Sequence, residues 1–526
     1  MLKIEEKIRK YIASNLSFIS PELNLVKEEF ELKNPYGAKG YVDILATDQE
    51  GNYVIIEIKR SNQAAREALN EISKYPMLLK HKFRVKPSEI RIIIVSSEWH
   101  ELLTPYSEFI LSTNYRTEAY MITLDENNIP ITKQEIQPID NPISKKLSRN
   151  HLSFLYETYE KAHNEISNLR KHLEQCGLTD YVILRMHSDA NIPYPYSLYV
   201  AIQKYDVDYY FQNLKLLLQK EKWKENEILD HIEELIKEKE NYYQNDTEGY
   251  TIYLEDLILQ HVVPNIICDT LESSHPEKLL GSINRSWSTD NIIRGGIFQE
   301  DIRLSDQAII HEELLGLSGE NFEMFVTQGH SNNKAKIIEI EENLESVLLW
   351  NKVWRSHILT IINKAKKSKD FSLSLNIYDP GRILESLLAY INGNDTALPF
   401  YTLYIDNNTE GKTDIYYGLI QWNGKQADIL ELFNNYYRND IMEYHFNRFD
   451  FNQNLNIQNK LGLEYVTNLI EISHDMETMS SIEVLHGELI HSKEKQSNMP
   501  QFIEAHKTGL TQLLEYFKAK TYSFFG

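Results

Sequence analysis

Three charged side chains stand in an otherwise apolar hairpin. The stretch "GYVDILATDQEGNYVIIEIKR", residues 40–60, carries Asp43, Glu57 and Lys59 among β-branched and aromatic positions. Side chains alternate faces along a strand, so Glu57 and Lys59 point to one side and Ile56 and Ile58 to the other. If the loop from Asp48 to Asn52 closes the hairpin symmetrically, residues whose numbers sum to 100 oppose each other and Asp43 faces Glu57. A bulge at Gly51 would move that register by one. Two carboxylates at such range repel unless a cation lies between them. Mg2+, or Mn2+ in its place, suits them: Mg2+ takes oxygen ligands, keeps several waters and is usually held by one or two carboxylates with substrate phosphates. The backbone carbonyl of Ile58 offers a third oxygen. Lys59 would then orient or deprotonate an attacking water, or stabilise charge developing on a phosphate. Together these residues suit metal-assisted phosphodiester hydrolysis.

The surrounding elements must hold this hairpin. Ile4, Ile8, Tyr11 and Ile12 recur at helical spacing and predict a helix over about 3–15. "LNLVKEEFEL" (23–32), "YVDILAT" (41–47) and "NYVIIEIK" (52–59) predict three strands. "NQAAREALNEISKY" predicts a second helix, with Ala65, Leu69 and Ile72 on one face, and the apolar run "IRIIIVSS" (90–97) predicts a buried central strand. The order is αβββαβ.

The hairpin, its spacing and this order resemble the PD-(D/E)XK nuclease superfamily, and residues 1–120 are similar to the nuclease domain of the NucS/EndoMS type of DNA endonuclease. The resemblance implies a restriction-endonuclease-like α/β fold with a mixed sheet, and metal and catalytic roles for Asp43, Glu57 and Lys59. It also implies an assisting glutamate on the first helix, matched best by Glu5 and next by Glu6. The family's second helix usually offers a Gln four residues before a Tyr; here Glu71 stands at the Gln position before Tyr75. Tyr41 occupies the place of an Arg that commonly precedes the strand Asp by two. These departures bear on the DNA contacts. The basic segment "KHKFRVK" (80–86) adds Lys82, Arg84 and Lys86 as candidate phosphate contacts. In the mismatch nucleases of this type the nuclease domain is C-terminal, whereas here it is N-terminal, so mismatch specificity is not carried over.

Length and composition set the frame. A chain of 526 residues exceeds what one core supports, so several domains are expected. We expect a nuclease domain over 1–132, a Pro-containing linker over 133–149, a mainly helical Tyr-rich domain over 150–330 and an acidic α+β domain over 331–526. The Tyr-rich domain takes in a long helical pattern from about Asn150, a strand at "DYVILRM", a mainly helical "YPYSLYVAIQKYDVDYYFQNLKLLLQ" and the charged helix "WKENEILDHIEELIKEKENYY". The net charge of −22 argues against wholesale coating with nucleic acid. Residues 1–140 hold 18 Lys plus Arg against 21 Asp plus Glu, a balance of −3, which leaves −19 for the remainder. Two cysteines, Cys176 and Cys268, make no disulfide or zinc pattern, no apolar run is long enough to span a bilayer, and a cytoplasmic location is expected.

The function expected from these residues is metal-dependent cleavage of DNA, with RNA not excluded. The acidic remainder would recognise the target, assemble a homo-oligomer, engage a partner protein or restrain cutting. A nuclease domain joined to a large region without ATPase or methylase motifs resembles the layout of anti-phage defence nucleases. The alternatives are a repair, mismatch or junction endonuclease and a non-catalytic nucleic-acid or partner-binding module.

Overall fold

The computed structural model describes residues 4–34, 37, 40–59, 62–140, 143–220, 224, 227, 247–368, 370–407, 411–473, 476–493, 495 and 498–520. The chain divides into two compact units, residues 1–143 and 144–526.

The first unit follows the expected order and extends it: α1 (Ile4–Ser14), β1 (Asn24–Leu32), β2 (Gly40–Thr47), β3 (Tyr53–Lys59), α2 (Asn62–Phe83), β4 (Ile90–Ser96), α3 (Leu103–Ser112), β5 (Arg116–Leu124) and β6 (Pro130–Glu135). The six strands lie in sequential order in one sheet. β3, β4 and β5 run parallel, and the other pairs are antiparallel. The β3–α2–β4 crossover requires the centre of the sheet to be covered on both faces. One face carries Ile8 and Ile12 of α1 against Ile44, Ile56, Ile58 and Ile93. The other carries Ile72, Tyr75 and Leu79 of α2 against Leu45, Ile55, Ile92 and Ile94. These side chains are fully or almost fully buried, each stabilising the fold by about 1.5–3 kcal/mol relative to exposure. β6 ends at Glu135, so the segment expected to begin a linker at 133 contributes its first three residues to the sheet.

The second unit is richer in strand than its sequence pattern suggests. The helix expected from Asn150 is preceded by β7 (His151–Tyr156) and occupies only α4 (Tyr159–Gln175). β8 (Tyr181–Ser188) falls where a strand is expected. The first half of the Tyr-rich stretch forms β9 (Tyr196–Ile202), and helix begins only at α5 (Val207–Lys220). β7 and β9 are runs buried on both faces, whose continuous apolarity does not distinguish strand from helix. With β10 (Thr270–Ser274) and β11 (Trp287–Arg294) they form an antiparallel sheet in the order β10-β7-β9-β8-β11, so the region expected to be mainly helical is built on a five-stranded sheet. The charged helix expected over "WKENEILDHIEELIKEKENYY" lies outside the described residues.

A seven-stranded antiparallel meander follows: β12 (Met324–His330), β13 (Phe371–Tyr378), β14 (Phe400–Asn407), β15 (Lys412–Trp422), β16 (Leu463–Ser473), β17 (Met476–Leu485) and β18 (Glu488–Ser492). β14 and β15 form a hairpin, and helices lie at Ile383–Ile391 and Met499–Lys520, in keeping with the α+β character expected over 331–526. Among the described residues no helix is long and apolar enough to cross a membrane.

Candidate active site

The turn that closes β2 and β3 sets the register. Asp48 N–H donates to the Asn52 carbonyl and Gly51 N–H to the Asp48 carbonyl, with Gly51 at φ 83, a conformation that glycine adopts without strain. The Asp48 carboxylate fixes the loop further by accepting from the N–H groups of Glu50 and Asn52. β2 then pairs with β3 as Thr47 with Tyr53, Ala46 with Val54, Leu45 with Ile55 and Ile44 with Ile56, so opposing numbers sum to 100.

Beyond Ile44 the two strands part, so the expected pairing of Asp43 with Glu57 does not form. β2 continues its pairing with β1 up to Gly40, opposite Leu32, whereas its pairing with β3 ends at Ile44. The donor that β3 would otherwise leave open at this split is taken by a side chain: Ile58 N–H donates to Asp43 Oδ2 at 2.8 Å. An extended residue projects its N–H and C=O to the same edge of the strand, so the Ile58 carbonyl is directed to the same gap. β1 is irregular at the same level. Glu29, between the pairs Glu28–Ile44 and Phe30–Val42, has φ 48, which breaks the regular pleat opposite Asp43. Val42 consequently belongs to the α2-side core and Ile44 to the α1-side core, with Asp43 at the break in alternation.

Glu57 and Lys59 lie on one face as their spacing requires, with Lys59 Nζ 2.8 Å from Glu57 Oε1. Glu57 is 2 % exposed and is opposite Ile94 of β4; Lys59 is opposite Ser96. Burial raises the Asp43 carboxyl above its ordinary range, while the Ile58 N–H, Lys59 and Arg9 oppose that rise and Glu5 adds to it. Asp43, Lys59 and Glu5 therefore share one electrostatic neighbourhood. Glu6 pairs instead with Lys10, one turn further along α1.

Arg9 was not among the residues expected from the sequence. Its guanidinium meets Glu28 at 3.0 Å, Glu29 at 3.0 Å and Asp43 Oδ1 at 3.7 Å, and these carboxylates raise its pKa further against the effect of burial. One signal was available: Arg9 is four residues after Glu5, on the same face of α1.

The remaining candidates divide. Tyr41 is 53 % exposed beside the site. Tyr75 has no exposed surface; its ring packs on Gly40, where an added Cβ would come within 3.0 Å of Tyr75 Cε1, and its hydroxyl donates to the Tyr41 carbonyl at 2.8 Å. The expected nucleic-acid contact at Tyr75 is corrected accordingly: a ring sealed in the core braces β2 and has no face to offer a base. Glu71 falls in α2, but its side chain lies outside the described residues. Lys82 Nζ lies 4.0 Å above the Phe30 ring and donates to the Glu31 carbonyl. Together with Lys27, Lys33 and His81 it lines an open groove of about 910 Å³ along β1. Phe83 is stacked between Tyr53 and Phe30, while Arg84 and Lys86 are exposed in the turn after α2. Among the described residues, no three His, Cys, Asp or Glu side chains form a metal-holding group; the oxygen donors at the split are the Asp43 and Glu57 carboxylates and the Ile58 carbonyl.

A mixed α/β sheet that parts around two carboxylates and a lysine is the setting in which the comparisons with known proteins fall. Residues 4–104 match the family model of the endonuclease NucS C-terminal domain. A structure search finds similarity to a chain in the structure of an EndoMS–dsDNA2 complex, with 18% identity over 23% of this chain and 46% of that chain and a TM-score of 0.18. This chain thus spans under half the length of that one. No curated protein matches the chain.

Proposed function

We propose that the first unit is a Mg2+- or Mn2+-dependent endonuclease domain of the PD-(D/E)XK type acting on DNA. The observation that carries this reading is the strand split at Asp43, whose carboxylate takes the Ile58 N–H and feels the charge of Lys59, itself paired with Glu57, within the segment that resembles the NucS nuclease domain. The donor set is all oxygen, which fits a hard divalent cation and not a soft one. Asp43, Glu57 and the Ile58 carbonyl would hold the ion. Such an ion supplies charge neutralisation on a phosphate and lowers the pKa of a bound water.

The protein's own groups do the rest. The Ile58 N–H and Arg9 keep Asp43 oriented and favour its ionised form. Lys59, 12 % exposed and braced by Glu57, orients the attacking water and stabilises charge on the phosphate oxygens. Lys27, Lys33 and Lys82 offer positive charge along β1 for the nucleic-acid backbone, with Arg84 and Lys86 beyond. The second unit, acidic overall, is proposed to govern target choice or assembly.

The test is incubation of the full chain with supercoiled plasmid, linear duplex, single-stranded DNA and RNA in Mg2+, Mn2+ or EDTA, beside Asp43→Ala and Lys59→Ala. Metal-dependent cleavage lost in both variants is expected. Cleavage that persists in EDTA or in both variants would overturn the assignment. Nucleic-acid binding that survives Glu57→Ala, with no cleavage by the wild type in any metal, would favour a binding module.

A further inference from the structure

A second polar cavity lies within the second unit. It has a volume of about 480 Å³, and its wall includes Arg285, Arg382, Glu385, Ser386, His445 and Arg448, so one carboxylate stands among three arginines. Arg285 ends the helix Pro276–Arg285, Arg382 and Ser386 belong to the opening of the helix Ile383–Ile391, and His445 and Arg448 come from the end of the helix Ile441–Asn447 and the residue following it.

The three arginines are not equivalent. Arg382 is saturated: it donates to Glu323 at 2.7 Å and to Glu385, with the Pro380 carbonyl at 3.4 Å. Arg448 has one long bond, to Glu385 at 3.4 Å, stacks on Phe449 at 4.7 Å, and its Nε is buried without a hydrogen-bond partner. Arg285 is exposed and forms no ion pair among the described residues. Ser386 is only 3 % exposed, and its hydroxyl finds no partner either. Burying a hydroxyl or a guanidinium N–H without a partner costs about 1–3 kcal/mol, so both groups call for an acceptor from outside the chain. Arg382, Glu385, Ser386 and Ala389 recur at helical spacing, so the helix Ile383–Ile391 presents its side to the cavity.

The geometry points to a binding site here for a small phosphorylated molecule, its phosphate held by Arg285, Arg448 and the Ser386 hydroxyl. Guanidinium forks pair bidentately with phosphate, and a tetrahedral oxyanion has acceptors enough for two arginines and a hydroxyl. The cavity volume lies within the usual range for small-ligand pockets. The charge around it selects by size: the balance of −19 outside residues 1–140 repels a polyanion, whereas a small anion in direct contact with arginines is governed by those contacts, at a range well inside the screening length.

Calorimetric titration of the full chain with AMP, inorganic phosphate and adenosine tests this, beside Arg285→Gln, Arg448→Gln and Ser386→Ala. Arg285 is exposed, so its substitution leaves the fold intact, and Ser386→Ala removes only an unpartnered hydroxyl. Saturable binding of AMP or phosphate is expected, weakened roughly tenfold or more by each arginine substitution, with adenosine silent and with Ser386→Ala weakening binding without lowering the melting temperature. Failure of both phosphorylated probes to bind, binding unaltered by Arg285→Gln, or adenosine bound as tightly as AMP would overturn the proposal.

Discussion

Asp43 accepts a hydrogen bond from the backbone N–H of Ile58 across the point where β2 leaves β3. One side chain thereby replaces a missing rung of the ladder and is fixed beside Lys59. The two roles separate by substitution. Asp43→Asn keeps an acceptor for the Ile58 N–H, so stability is expected to hold while cleavage falls. Asp43→Ala leaves that N–H without its partner and is expected to cost about 1–3 kcal/mol as well. Urea denaturation alongside plasmid cleavage checks this; equal stability of the two variants would refute the bracing role.

In the proposed reaction Arg9 acts through Asp43. Its guanidinium opposes the rise that burial imposes on the Asp43 carboxyl, so Arg9→Met is expected to raise that carboxyl further. Because the ionised form is needed, the acid limb of the cleavage profile should move to higher pH. Measurement of rate against pH decides, and an unmoved limb in a folded variant would remove Arg9 from the mechanism.

Tyr75 is expected to behave as a structural strut. Tyr75→Phe loses the bond to the Tyr41 carbonyl and about 0.5–1.5 kcal/mol of stability. DNA affinity measured by fluorescence anisotropy should stay unchanged; a marked loss of affinity in a stable variant would restore Tyr75 as a contact.

Glu255 makes the second unit sensitive to alkali. It is fully buried, accepts from the Tyr210 hydroxyl at 2.5 Å, and burial pushes its carboxyl up to about 8. The folded protein therefore holds this proton more tightly than the unfolded chain. Its contribution is complete below the ordinary glutamate range and is lost as pH rises toward 8, by up to about 1.4 kcal/mol per pH unit. Glu255→Gln should be less sensitive than the wild type between pH 5 and 8 in denaturant titrations. Parallel pH curves for the two proteins would contradict this.

The sequence by itself determined the αβββαβ order of the first unit and the register of its hairpin. Both are local: apolar periodicity and a five-residue turn act over a few residues of chain, and the opposing numbers in β2 and β3 sum to 100 as that turn requires. It also put Glu57 and Lys59 on one face, because strand alternation leaves no other arrangement. Tertiary structure decided what lies beyond that range. The parting of β2 from β3 falls opposite an irregular residue, Glu29, of a third strand, the bracing of Asp43 needs Arg9 of a helix, and the burial of Tyr75 needs the close approach of α2 to Gly40. The strands β7 and β9 were hidden for a related reason. A segment buried on both faces loses the alternation that would reveal it, and only its partners in the sheet establish that it is a strand.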